Sequence, residues 1–305
     1  MKIKSKRKLK LQDNVQWQYP EAIVECNWLI DQIDNEEIRI YDCTTYLHYT
    51  DNHPSKPYDV CSGIVEYKKG HIPKSAYLDL QKHLSESESR YSFTLPKLGT
   101  LADCFKQCGI GQPHHIILYS RNGMQWATRV WWMLYVLGYT KVSILNGGFA
   151  EWVRLGLPIE KNETYFPIAD FSVDEKPEIF VNKERVLDSI NDRSCVLVNA
   201  LTEDIHTGKN SRYGRPGRIP NSLNIPFHSL VDAGSGKFIK PNEALKIFKE
   251  KKISLDKKVI NYCGGGIAAT LDCFILYQLG YSHLFIYDNS MSEWAMDPSL
   301  PIETC

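Results

Sequence analysis

The feature that most constrains the fold of this sequence is an internal repeat with an offset of about 142 residues. Residues 157–160 and 300–303 both read Leu-Pro-Ile-Glu, and residues 137–139 and 279–281 both read Leu-Gly-Tyr. The pair Glu151-Trp152 recurs as Glu293-Trp294, again 142 residues later. Because these matches keep their order and nearly the same offset, we predict two copies of one domain, each of roughly 140 residues.

Each copy alternates short apolar segments with longer segments of helical period. The predicted strands are 39–42, 115–119 and 142–145 in the first copy, and 195–198, 258–262 and 284–287 in the second. The predicted helices are 127–137 and 267–279. Strands that alternate with helices indicate an α/β fold. We therefore expect two tandem domains, each a mainly parallel sheet that is covered by helices on both faces.

The two copies divide the chain into four parts. The first ten residues contain six basic side chains and no acidic one, so residues 1–19 are predicted to be a disordered basic tail. The first copy spans 20–160 and the second 179–305. The segment between them, 161–178, is rich in charge and contains two prolines, which favours an extended linker.

Composition excludes several classes of protein. Lys+Arg and Asp+Glu each number 36, and this balance argues against a nucleic-acid binder, which usually has a basic surplus. No segment has the length and apolarity of a membrane span, so no membrane association is expected. The basic tail is not followed by the apolar stretch that a secretory signal would have. The chain also has nine cysteines, an odd number that cannot all be paired in disulfides within it. We therefore expect a cytoplasmic protein with reduced thiols.

One cysteine stands at a position suited to chemistry, between a predicted strand and a predicted helix. Residues 263–268 read Cys-Gly-Gly-Gly-Ile-Ala. Glycines let the backbone curl with its N–H groups inward, and the helix N-terminus adds a positive dipole end, which together favour a thiolate. Ligands of parallel α/β sheets bind at the carboxyl ends of strands. Cys263 is the predicted nucleophile. The residues whose amides are predicted to bind an anion are Gly264, Gly265, Gly266, Ile267 and Ala268.

Other chemistries fit this loop less well. A cysteine-dependent phosphatase needs an arginine six positions after the cysteine, and that position is Ala269. A papain-like protease needs a histidine base from elsewhere in the fold, for which the sequence has no local signature. The loop also lacks the glycine spacing of a dinucleotide-binding turn.

The motifs of both copies resemble those of the tandem-domain rhodaneses, the family of thiosulfate and 3-mercaptopyruvate sulfurtransferases. The resemblance covers about residues 20–305. Residues 70–73 and 217–226 are similar to the family segment GHIPGAVNIP, and residues 287–294 to YDGSWSEW. The remaining similar segments are 129–132, like R-x-W-W, 145–152, like L-x-G-G-x-x-x-W, and 263–268, which stands where the family has CRKGVT or CGSGVT.

The resemblance implies a reaction. The Cys263 thiolate would take a sulfane sulfur from a small-molecule donor, thiosulfate or 3-mercaptopyruvate, and hold it as a persulfide. A thiol, cyanide or a thioredoxin-like protein would then accept the sulfur. No metal and no organic cofactor is expected to take part. The alternative is a sulfur-carrier or regulatory rhodanese-like binding protein with little turnover.

The departures from the family patterns bear on each copy differently. Ser120 stands where a first-copy cysteine would stand, so residues 20–160 are predicted to be catalytically silent. The active loop lacks both the Arg-Lys pair of CRKGVT and the serine of CGSGVT. The missing cations weaken the case for thiosulfate. By resemblance, the substrate-binding candidates are His71, Arg212 and Arg215, and Asn199 replaces a strand-end aspartate.

Overall fold

The computed structural model describes residues 15–50, 56–176 and 178–304, and it shows one five-stranded parallel sheet in each copy. The predicted α/β fold with two tandem domains is thereby confirmed. Within the described ranges, no helix combines the length and the apolarity that crossing a bilayer requires.

The first sheet has the order β1-β7-β6-β2-β5, with every neighbouring pair parallel. Its strands are β1 (Ile23–Val24), β2 (Ile38–Asp42), β5 (Ser75–Tyr77), β6 (His115–Tyr119) and β7 (Val142–Leu145). An antiparallel hairpin, β3 (Thr45–Tyr49) and β4 (Tyr58–Ser62), stands outside this sheet. The helices are α1 (Cys26–Asp31), α2 (Ile64–Lys69), α3 (Leu80–His83), α4 (Leu98–Gln107), α5 (Gln125–Val136) and α6 (Gly148–Arg154).

The second sheet repeats this arrangement with the order β10-β9-β11-β12-β8, again parallel throughout. Its strands are β8 (Phe180–Val181), β9 (Cys195–Asn199), β10 (Leu223–Asn224), β11 (Lys258–Tyr262) and β12 (Leu284–Tyr287). The helices are α7 (Lys183–Ser189), α8 (Glu203–His206), α9 (Pro241–Glu250), α10 (Ala268–Gln278) and α11 (Ser290–Trp294). Short 3₁₀ helices form at Pro20–Ala22 and Phe227–Leu230.

The two copies share one hydrophobic core through helices α5 and α10. One cluster of buried apolar side chains extends from the first sheet to the second. Across this interface the Thr128 and Thr270 hydroxyls are hydrogen-bonded at 2.7 Å, and the Trp132 indole N–H donates to the Thr270 carbonyl at 3.0 Å. Helix α10 is therefore buried nearly all around rather than amphipathic, since the first copy covers the side that would otherwise face water.

The segment before the first copy differs from its prediction. Residues 1–14 of the predicted tail lie outside the described residues. Residues 15–19 are ordered against the second copy: the Tyr19 and Tyr277 rings stack at 4.1 Å, and the Gln18 amide donates to the Gln278 carbonyl at 2.7 Å. Aromatic stacking and backbone pairing outweigh the polar composition of this short segment.

The segment between the copies runs extended over the first domain. Its backbone donates from Ala169 to the Lys106 carbonyl at 3.2 Å and from Asp174 to the Leu137 carbonyl at 3.0 Å. Such cross-links tie the linker to helices α4 and α5 and so limit the distance by which the copies can separate. The boundaries 160/161 and 178/179 stay predictions.

His206 is expected to make stability depend on pH. Its side chain, next to Asn199, is only 9 % exposed, and burial, reinforced by Arg218, lowers its pKa from 6.5 to about 4. Between these values the unfolded chain binds a proton that the folded chain does not, so stability falls as pH falls through this window. We expect this one group to remove about 2 kcal/mol of unfolding free energy between pH 7 and pH 5.

Urea denaturation at the two pH values measures this effect. His206→Gln should lose less stability between pH 7 and pH 5 than the wild type, because the titrating group is gone. His283→Gln, at an exposed position, is the control and should match the wild type. An equal loss in His206→Gln and in the wild type would contradict the assignment.

Candidate active site

Cys263 lies directly after β11, at the carboxyl end of a central strand, and is only 2 % exposed. Its amide donates to the Ser290 hydroxyl at 3.0 Å. The amides of Met291 and Ser292 donate to the carbonyls of Cys263 and Gly264, at 3.0 and 2.7 Å respectively. The start of helix α11 therefore fixes the first half of the loop and holds the thiol in place.

The three glycines are required by what packs against them. Gly266 has a φ of +71°, and a Cβ there would overlap the Asp288 carbonyl oxygen. A Cβ at Gly264 would overlap the Tyr213 hydroxyl, and one at Gly265 would overlap the Tyr58 hydroxyl. Two tyrosines thus occupy the space in which loop side chains would otherwise stand.

The loop keeps backbone donors free. In the part of the chain that the structure describes, the amides of Gly264, Gly265, Gly266 and Ile267 donate to no other residue. They precede helix α10, whose N-terminal end carries a partial positive charge. Unused amides at a helix N-terminus favour a bound anion next to Cys263.

A buried arginine of the first copy holds the far side of the loop. Arg129, on α5, is fully buried and donates to the Gly266 carbonyl at 3.2 Å and to the Asp288 carboxylate at 2.6 Å. Its other terminal nitrogen donates to the Phe93 carbonyl at 2.6 Å. The Leu95 amide, also from the first copy, donates to the second carboxylate oxygen of Asp288 at 2.7 Å. The loop is thus shaped by both domains.

A cleft of about 550 Å³ opens beside the loop. Its walls include Lys56, Tyr58, Arg90 and Tyr91 of the first copy and Ser292 and Met296 of the second. Among the described residues its lining contains two cations, Lys56, which is ion-paired with Asp59, and Arg90, and it contains no carboxylate, which suits an anionic ligand. Burial raises the pKa of both Tyr58 and Tyr213 far above the ordinary tyrosine value, so their hydroxyls remain protonated.

The polar side chains of the equivalent loop in the first copy are hydrogen-bonded within that copy. The Ser120 hydroxyl donates to the Gly123 carbonyl, and the Arg121 Nε donates to Asp42 at 3.2 Å. The Asn122 side chain donates to the Thr45 carbonyl at 2.7 Å. These contacts commit the polar side chains of the loop to partners within the first copy.

Comparison with known proteins identifies the family. The model of the rhodanese-like domain matches residues 25–155 and 186–297. The chain belongs to the rhodanese family. The sequence resemblance is thereby confirmed, and both copies are rhodanese-like domains.

Curated relatives of this rhodanese cover nearly the whole chain. The 3-mercaptopyruvate sulfurtransferase of Escherichia coli strain K12 is 32 % identical over 92 % of this chain and 97 % of its own length. The enzyme of that name in Mus musculus is 30 % identical over 90 % of this chain and 92 % of its own length. The solved structure of SseA from Escherichia coli, described as a rhodanese fold, is similar with a TM-score of 0.75 at 29 % identity, covering 88 % of this chain and 98 % of that one. These relatives support a sulfurtransferase function.

The two candidate arginines of the rhodanese site have different surroundings. Arg215 donates four hydrogen bonds to backbone carbonyls, those of Trp294, Ala295, Asp297 and Leu300. Its guanidinium is thus committed to the C-terminal segment. Arg212 instead lies 3.8 Å above the ring of Tyr49, partly exposed and next to Tyr213. Of the two, Arg212 has the guanidinium that a ligand can reach.

Among the described residues, no contact brings His71 to the loop that carries Cys263. Its ring is fully buried, stacks on Tyr67 at 3.8 Å, and has its two nitrogens 2.8 and 3.1 Å from the carbonyls of Tyr67 and Asn162. Both ring nitrogens are therefore engaged within the first copy and its linker. This geometry favours a structural role in the turn, and the predicted substrate contact gains no support.

Sequence reasoning missed several residues of the site. Ser290, Ser292 and Arg129 lie inside motifs that the sequence displays, but nothing in those motifs says which side chains reach the loop. The sequence around Tyr58 and Tyr213 gives no sign of a role at the site. Both residues matter through contacts with glycines that are distant in the sequence, Gly265 for Tyr58 and Gly264 for Tyr213.

We expect Ser120→Cys to create no second active site. The new thiol would lie in a loop whose Arg121 amide already donates to the Thr44 hydroxyl, and in which the bulky Arg121 and Asn122 stand where the second copy has glycines. In a Cys263→Ser background, incubation with sulfur donor should add no sulfur to the protein, as measured by intact mass. Stoichiometric sulfur on the introduced cysteine would show that position alone is sufficient for the chemistry.

Proposed function

We propose that this rhodanese is a sulfurtransferase that transfers the sulfur of 3-mercaptopyruvate through a persulfide on Cys263. The observation that carries the proposal is the combination of a buried thiol at a strand end with four unused amides beside it. The names of the curated relatives support this donor, and so does the absence of cationic side chains on the loop itself. Thiosulfate is the second donor, since one relative, from Gallus gallus, is a thiosulfate sulfurtransferase at 27 % identity.

The first half-reaction conserves atoms and charge. The Cys263 thiolate attacks the sulfur of 3-mercaptopyruvate, forming an S–S bond while the bond between sulfur and C3 breaks. The electron pair of that bond goes to C3, which takes up the proton of the donor thiol, so pyruvate leaves and a persulfide anion remains. The amides of Gly264, Gly265, Gly266, Ile267 and Ala268 would stabilise the negative charge that collects on the outer sulfur.

The second half-reaction regenerates the enzyme. A thiolate or cyanide attacks the outer persulfide sulfur, and the S–S electron pair returns to Cys263 as a thiolate. The cleft admits a small acceptor, and a thioredoxin-like protein is the macromolecular acceptor that we infer. No step needs a metal or organic cofactor. A cytoplasmic location with reduced thiols belongs to the same proposal, because acceptor thiols persist there.

We expect Cys263→Ser to abolish sulfur transfer without unfolding the protein. Oxygen is nearly isosteric with sulfur but forms no persulfide. Intact mass after incubation with 3-mercaptopyruvate should show one added sulfur in the wild type and none in the variant. Cys195→Ser, at the opposite end of the neighbouring strand β9, is the matched control and should load sulfur normally. Transfer above about a tenth of the wild-type rate in folded Cys263→Ser would refute the proposal.

Arg212 is expected to bind the carboxylate of the donor. Arg212→Gln should raise KM for 3-mercaptopyruvate about tenfold with a much smaller change in kcat, because a charge-assisted hydrogen bond contributes about 1.5–3 kcal/mol. Arg212→Lys should recover part of the loss. Arg193→Gln, at an exposed position, should behave like the wild type. An unchanged KM in Arg212→Gln would contradict this role of Arg212, and carboxylate binding would then be assigned to Lys56 or Arg90.

A further inference from the structure

The hydroxyl of Tyr58 reaches from the silent domain into the catalytic loop. Tyr58 begins strand β4, is 5 % exposed, and lies so close to Gly265 that a Cβ at that residue would overlap its oxygen. The ring carbon that bears the hydroxyl would be 3.7 Å from the same Cβ, an ordinary contact distance. The close approach therefore involves the hydroxyl alone and not the aromatic ring.

Neighbouring rings hold Tyr58 in this position. It packs against Phe93 at 6.3 Å, and it meets Tyr49 and Tyr213 edge-on at 6.3 and 6.5 Å. These contacts come from both domains. A tyrosine fixed by rings of this kind loses little conformational freedom on binding a ligand, so its hydroxyl is preorganised.

The Tyr58 hydroxyl faces a place in which a ligand can stand. Tyr58 and Ser292 both line the cleft beside the loop. The Ser292 hydroxyl oxygen is buried, lies 3.8 Å from the Cβ position of Gly265, and interacts with the Tyr58 hydroxyl. Two hydroxyls thus converge at Gly265, two residues from the nucleophile.

We propose that Tyr58 is a donor-binding residue supplied by the silent domain, its hydroxyl donating a hydrogen bond to an anionic or carbonyl oxygen of the sulfur donor. The hydroxyl stays protonated over the working pH range, because burial raises its pKa, so it acts as a hydrogen-bond donor and not as a base. The inference rests on the proposed sulfur transfer and names a specificity-determining residue for it.

The geometry allows the hydroxyl to be supplied from position 265 instead of position 58. In Tyr58→Phe the oxygen is gone, and position 265 can take a side chain at the 3.7 Å contact with the ring. A serine there would place a new hydroxyl in nearly the space that the phenol vacated. An alanine would fill the same space without a hydroxyl, and so serves as the matched control.

The experiment measures kcat and KM for 3-mercaptopyruvate, together with Tm, in five variants. These are Tyr58→Phe, Gly265→Ser, Tyr58→Phe/Gly265→Ser, Tyr58→Phe/Gly265→Ala, and Tyr281→Phe. The last variant removes a buried hydroxyl that donates to the Ile253 carbonyl at 2.8 Å, away from the loop, and should match the wild type in kcat/KM. We expect Tyr58→Phe to lower kcat/KM about tenfold, mainly through KM, with little change in Tm.

The double variants decide between a hydroxyl and a packing role. Gly265→Ser alone should lower kcat/KM at least tenfold, because its side chain displaces the Tyr58 hydroxyl. Tyr58→Phe/Gly265→Ser should recover most of the kcat/KM lost in Tyr58→Phe, whereas Tyr58→Phe/Gly265→Ala should not.

Two results would overturn the inference. One is wild-type kcat/KM in Tyr58→Phe, and the other is equal recovery by serine and alanine at position 265. In both cases the wild type would still load sulfur on Cys263, so the proposed function would stand. A wild type that takes up no sulfur from 3-mercaptopyruvate or thiosulfate would instead overturn the function and this inference together.

Discussion

The guanidinium of Arg129 is the group on which the rest of the structure depends. A fully buried charge is tolerated only when it is paired and hydrogen-bonded. Here its partners are a carboxylate and a carbonyl of the second copy and a carbonyl of the first, at Asp288, Gly266 and Phe93. The two domains cannot separate without exposing this arrangement, and the catalytic loop cannot change shape without disturbing it. The contacts of Arg129 therefore constrain both the docking of the two domains and the geometry of the loop.

This constraint shows what the first copy, which has Ser120 in place of a cysteine, contributes to the candidate site. Helix α10 begins in the catalytic loop and is buried nearly all around, which requires a second surface to cover it. Helix α5 provides that surface, and the hairpin β3–β4 brings Tyr58 to the cleft. The first copy thus contributes a wall of the site, while the Arg121 and Asn122 side chains of its own loop are hydrogen-bonded within that copy.

The repeat and the fold were predictable because their signals are local. Strands 115–119, 142–145, 258–262 and 284–287 have the bounds that their apolar runs predict, since strands buried on both faces are continuously apolar. Helix α5 begins two residues earlier than predicted, at Gln125, because helix ends depend on capping and not on periodicity alone. Cys263 stood out because strand, glycines and helix adjoin it in the sequence.

The surroundings of Cys263 were not predictable, because they depend on contacts between distant segments. Arg212 and Arg215 are three residues apart in one polar loop, and nothing in the sequence distinguishes their roles. Only the fold shows that the Arg215 guanidinium is hydrogen-bonded to backbone carbonyls of the C-terminal segment, whereas the Arg212 guanidinium lies over the ring of Tyr49. His71 was expected at the site from its motif, but its ring nitrogens are taken by two carbonyls near it.

The all-glycine loop is best understood together with the tyrosines that lie on it. A loop with side chains carries its polar groups itself, whereas this loop receives hydroxyls from Tyr58 and Tyr213 on other elements. Each hydroxyl fits only because the residue beneath it has no Cβ, so positions 58 and 265, and likewise 213 and 264, must change together. Substitutions at such contacting pairs are not additive. The sequence of the loop alone therefore says little about the preferred sulfur donor. We expect that preference to depend on the two tyrosine–glycine pairs, whose members lie on different elements and, for Tyr58 and Gly265, in different domains.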